Sequence, residues 1–148
     1  MILLVHLLFG AAIGAKIQYF FLAVILSFLS HYFLDFFPHT EYPIENIKNY
    51  QWQDSFPDFL RVVIDFCLGI LIIYLLSDNS LKIYVCAFFA ILPDGLTFLE
   101  YFWKNNCLQK HNDFHRKKIH VLKYKKISVF WRFTTQIIAV IVSVLLIR

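Results

Sequence analysis

The sequence predicts an all-α integral membrane protein, a helical bundle with about five transmembrane helices, and three observations carry that prediction. Hydrophobic residues fill 59% of its 148 positions and charged residues only 16%, where soluble domains run to about a quarter charged. Four apolar runs, 18–37, 57–77, 81–103 and 129–147, each come close to the roughly 20 residues that a bilayer core requires. The few ionisable residues within these runs recur at helical spacing. A chain of this length forms one domain, residues 1–148.

The opening segment, "MILLVHLLFGAAIGA", is apolar but short. No basic stretch precedes it, as one would in a signal peptide, so it reads as a first short helix turning near Gly14 and Lys16. The run 18–37 should stop ahead of Pro38, whose ring excludes the α conformation at residue 37. Run 57–77 places Asp58, Arg61 and Asp65 on one face. Arg61 can neutralise carboxylates near the membrane edge, whereas Asp65 lies roughly 12 Å into the helix and needs a better partner. Run 81–103 contains "ILPDGLTF", where Pro93 and Gly95 flank Asp94 and loosen the helix. At membrane depth that is tolerated only beside protein or a wet cavity. The last run, 129–147, ends at Arg148.

Charge sets the orientation. Eight of the 14 basic residues, Lys104, Lys110, Arg116, Lys117, Lys118, Lys123, Lys125 and Lys126, fall in the connection between the last two spans, with Asp113 as its one acid. The positive-inside rule puts that connection in the cytoplasm, and the N-terminus with it. The cluster suits anionic lipid headgroups. Nucleic acid is not expected, since no recognised binding module accompanies the charge. The three cysteines have neither CxxC spacing nor an even number, which argues against a disulfide framework.

This orientation collects His6, His31, Asp35, His39, Asp65 and Asp94 in the cytoplasmic half of the bundle, where each costly ionisable group is a candidate for function. In "SHYFLDFFPHTEYP" (30–43), His31 and Asp35 share one face a turn apart, and His39, just past Pro38, can fold back over it. In "KHNDFHRKKIH" (110–120), His111 and His115 are again four apart, with His120 following. Alone, such a pair reads as a solvated face, but this segment leaves the membrane where the buried acids gather. Imidazole with carboxylate suits Zn²⁺, Mn²⁺ or Fe²⁺ better than calcium. The set is large enough for one ion or two, and two ions would permit phosphoester displacement.

"VHLLFGAAIG", "SHYFLDFFPH", "LPDG" and "HNDFHRKKIH" together resemble, in order, elements of the bacterial small membrane-bound metal-dependent hydrolases of the inner membrane. That resemblance implies metal-site positions at His6, His31, Asp35, His39, Asp94 and His115. Two departures stand out: the family's Pro-Asp-x-Asp ends here in Leu96, and its His-Arg-x-x-Thr-His reads "HRKKIH".

The expected function is therefore metal-dependent hydrolysis of a lipid-linked or membrane-delivered ester, a phosphoester foremost, from the cytoplasmic side. In that scheme Asp35 or Asp65 acts as base or orients a ligand histidine, and Arg116 holds an anionic headgroup. Two alternatives stand beside it. One is a non-catalytic metal-stabilised bundle or a subunit of a membrane complex. The other, an ion or proton carrier, would spread its acids across the whole membrane thickness, and the outer half here is nearly bare of them.

Overall fold

The computed structural model describes residues 1–49, 51–103, 105–119 and 127–148. Those residues form α1 (Leu3–Lys16), α2 (Phe20–Phe36), α3 (Glu45–Lys48), α4 (Phe56–Leu76), α5 (Leu81–Phe102), α6 (Asn106–Phe114) and α7 (Val129–Ile147), with no strand among them. A π-helical turn, His115–Ile119, continues α6. Lys104, His120, Lys123, Lys125 and Lys126 lie outside the described residues, so the basic connection is described only in part.

Three helices, α4, α5 and α7, are long and apolar enough to cross a membrane, fewer than the roughly five expected from the sequence. The difference lies in length. α1 has 14 residues and α2 has 17, about 21 and 26 Å at 1.5 Å per residue, against a hydrocarbon core of roughly 30 Å. α2 ends at Phe36 because Phe37, preceding Pro38, is extended at φ −78°, ψ 156°. α5 runs unbroken through Pro93.

The short α1 is the hub. It packs against α2, α4, α5 and α7, and Val5, Leu7, Leu8, Ala11 and Ala12 are all buried. An apolar helix surrounded by protein reads as core on every side. Two glycines permit its approach to α5. A Cβ on Gly10 would stand 2.5 Å from Ala90 Cβ and 2.7 Å from Cys86 O, and one on Gly14 would stand 3.0 Å from Cys86 Cβ. This is the small-xxx-small contact by which membrane helices bring their backbones together. Across the bundle, Phe21, Leu75, Leu81, Phe130 and Leu145 point outward and exposed, as a lipid-facing surface requires.

Ile2 has no side chain that could cap α1, so the helix's orphan amides are met from elsewhere in the chain. Leu4 N–H donates to Asp65 Oδ2 at 2.7 Å, and Leu3 N–H donates to the Tyr42 hydroxyl at 2.9 Å. Tyr42 in turn donates to the same Asp65 carboxylate. The loop that carries Tyr42 is fixed at two further points. Asp58 accepts from Asn46 N–H at 3.0 Å and pairs with Arg61 at 3.0 Å. Thr135 and Gln136 of α7 donate to Pro38 O and Thr40 Oγ1.

Candidate metal centre

Where α1 begins and α2 ends, four residues bring one donor atom each within 4.8 Å of one another: His31, Asp35, Asp94 and His115. They come from α2, α5 and the π turn after α6, and a π turn often marks a functional position. His31 Nε2 lies 3.2 Å from Asp35 Oδ2 and 3.6 Å from Asp94 Oδ1, and His115 Nε2 lies 3.0 Å from Asp35 Oδ2. His31, Asp35 and His115 are buried, while the Asp94 side chain keeps 30% of its surface exposed.

The outer nitrogens settle which way the rings point. His31 Nδ1–H donates to Ala90 O at 2.8 Å, one helical turn before Asp94. Thr97 donates its hydroxyl proton to Pro93 O at 3.1 Å, leaving its oxygen to accept from His115 Nδ1–H at 3.2 Å. With both Nδ1 atoms so engaged, both Nε2 atoms face the cluster, 3.2 Å apart, and a neutral ring in this orientation offers its lone pair there. Two carboxylates and two such nitrogens converging on one point call for positive charge among them, which a metal ion or an imidazolium supplies. The same arrangement, an outer N–H fixed so that the inner nitrogen is available, is how proteins prepare histidine as a metal ligand. This group can hold a metal ion.

Two more histidines stand close by. His39 Nδ1–H donates to Phe37 O at 2.8 Å, and its Nε2 is 3.8 Å from Asp35 Oδ1. His6 is fully buried, stacked on His31 with ring centroids 4.1 Å apart, and its Nε2 is 3.2 Å from Asp35 Oδ1. Neither His6 ring nitrogen makes a hydrogen bond among the described residues, which is costly for a buried imidazole. The Met1 amine reaches Asp35 Oδ1 at 2.7 Å. Asp35 is thus the hub of the site, touched by His6, His31, His39, His115 and Met1.

Asp65, read from the sequence as a candidate base, stands outside the four-residue group. Its carboxylate is committed to α1 through Leu4 N–H and Tyr42. Burial, and then the hydrogen bond to Asp65, raise the Tyr42 phenol above its ordinary value, so it stays protonated and keeps donating. Arg116 also lies outside the group and lines a cavity of about 260 Å³ that reaches Asp94 and His115. His111 serves position rather than ligation: its Nε2–H donates to Pro93 O at 3.1 Å, tying α6 to α5. Burial lowers its pKa, with the Pro93 carbonyl opposing.

Sequence reasoning missed Thr97 and Tyr42. Thr97 follows Asp94 by three residues and so shares its helix face, a signal that was available. Tyr42 carried none, because its partner is 23 residues away. No family model, curated protein or solved structure matches this chain.

Proposed function

We propose that this chain is a membrane-embedded, metal-dependent hydrolase acting on a lipid-linked or membrane-delivered ester, with phosphoesters as the leading class. The observation that carries the reading is the pair of Nε2 atoms, of His31 and His115, held 3.2 Å apart beside Asp35 and Asp94. The partial resemblance to small membrane-bound metal-dependent hydrolases agrees with it. His31, Asp35, Asp94 and His115 would hold a Zn²⁺, Mn²⁺ or Fe²⁺ ion, which supplies Lewis acidity and an acidified water.

The chain's own residues divide the remaining work. Ala90 O and Thr97 keep the two ligand imidazoles in the required tautomer. Asp35 gathers charge at the closed side of the site. Asp94, the most accessible of the four, faces the cavity from which a substrate would arrive. That cavity favours catalysis over a purely structural ion, whose shell would be closed by protein. Arg116, at the same cavity, offers an anionic group its guanidinium. Arg116, Lys117 and Lys118 immediately follow His115, so the positive-inside rule turns this end of the bundle to the cytoplasm.

Elemental analysis of purified protein, coupled to hydrolysis of a chromogenic phosphodiester with and without chelator, tests the proposal. Stoichiometric transition metal and chelator-sensitive turnover are expected. Protein free of metal after purification without chelator, and unable to take up Zn²⁺, Mn²⁺ or Fe²⁺, would overturn it.

A further inference from the structure

The cavity beside the metal group is mostly apolar, yet it ends at charged residues. Leu3, Val62, Ile91 and Phe98, from α1, α4 and α5, supply apolar wall, while Asp94, His115 and Arg116 stand at the polar side. Glu41 also lines it, with its carboxylate 3.7 Å from His39 Nε2. The volume of about 260 Å³ exceeds the roughly 150 Å³ that admits a benzene ring. Gly95 lines the same space, and a Cβ added there would meet nothing within 4 Å. In the interior of a helix glycine is a poor choice, so the bare position leaves room in the cavity at some cost to the helix.

From this juxtaposition we infer that the site takes a single-chain anionic amphiphile: a phosphate or phosphonate group against Arg116 and the metal group, and a hydrocarbon chain along Val62, Ile91 and Phe98 past Gly95. The inference rests on the proposed hydrolase reading and narrows its substrate class. A water-soluble phosphoester would leave the apolar wall uncovered. A bulky polar headgroup would meet that wall without partners for its hydroxyls.

The test compares octylphosphonate with methylphosphonate, both below micelle-forming concentration, binding to full-length protein held in amphipol, by calorimetry. Each chain methylene the cavity buries should add about fourfold in affinity. Octylphosphonate is therefore expected to bind at least tenfold tighter than methylphosphonate. Gly95→Leu, whose Cβ would meet nothing within 4 Å, extends a side chain into the open space and should abolish the chain-length gain. Arg116→Gln should weaken both ligands. Equal affinity for the two lengths in the wild type, or a chain-length gain that survives Gly95→Leu, would overturn the inference.

Metal content and phosphodiester hydrolysis of the same preparation separate this inference from the reading beneath it. A metalloprotein that hydrolyses a soluble phosphodiester but shows no chain-length gain overturns the amphiphile site alone. Chain-length-dependent binding by a protein that takes up no metal overturns the hydrolase and leaves the amphiphile site standing.

Discussion

His31 and His115, 84 residues apart in sequence, face each other through Nε2 atoms 3.2 Å apart, each with its Nδ1 already hydrogen-bonded. A neutral ring cannot donate into that contact without giving up its anchor; only an imidazolium donates from both nitrogens. The pair is stable only if something positive lies with it beside Asp35 and Asp94.

Replacing either ring by alanine should therefore cost bound metal. Because loss of even an outer hydrogen-bond partner costs 10- to 100-fold in affinity or activity, His31→Ala and His115→Ala are each expected to lower affinity by more than about tenfold. Competition with a chelator of known strength gives the number. Wild-type affinity in His31→Ala would remove it as a ligand.

Thr97 provides a subtler test, since its hydroxyl reaches the four-residue group through a hydrogen bond to His115. Thr97→Val keeps the shape and removes the acceptor for His115 Nδ1–H. The imidazole is then free to take the other tautomer, and metal affinity should fall about 10- to 100-fold. Thr97→Ser restores the hydroxyl and should recover most of the loss. An equal loss in the serine variant would mean that packing of the methyl group, and not the hydrogen bond, is what matters.

How much of this was legible in the sequence varies with the range of the interaction. His31 and Asp35 could be paired because both lie on one helix, where a spacing of four means one face. The end of α2 was legible from Pro38. Asp94 announced itself as a carboxylate in an apolar run. Asp65 had the same credentials, and composition cannot tell a ligand from a helix cap: the distinction rests on Leu4 N–H, 61 residues away. The number of helices long enough to span, three against about five expected, turns on where α1 and α2 end. Hydropathy marks both as apolar, but their 14 and 17 residues fall short of a full crossing.

Packing of the central helix α1 gives a prediction independent of any metal. Gly10→Ala would put a Cβ 2.5 Å from Ala90 Cβ and 2.7 Å from backbone oxygen at Cys86, neither of which can swing aside. Overpacking of this kind costs about 1–3 kcal/mol. Thermal unfolding in detergent should show the loss. Gly95→Ala, whose Cβ meets nothing within 4 Å, should be neutral or stabilising by up to about 1 kcal/mol. If both variants lost stability equally, the close α1–α5 approach would not be what Gly10 serves.

The cap on α1 makes a prediction with a pH signature. Tyr42 donates to Asp65 and accepts from Leu3 N–H, and Asp65 also accepts from Leu4 N–H. Tyr42→Phe removes both of its hydrogen bonds and leaves Leu3 N–H without that partner, at a cost of about 1–3 kcal/mol. Burial, reinforced by Asp65, raises the folded-state pKa of the phenol above its ordinary 10.0. Below about pH 10 the hydroxyl is protonated in folded and unfolded chains alike, and its stabilisation is present in full. Above that pH the unfolded chain releases the proton while the folded one retains it, so stability falls as pH rises. Denaturation of wild type and Tyr42→Phe between about pH 8 and 11 isolates this contribution from the other tyrosines. The wild type should lose stability more steeply at the alkaline end, and the gap between the two should narrow there. A gap that stayed constant through that range would show that Tyr42 does not hold its proton against Asp65, and the cap would then rest on Leu4 N–H alone.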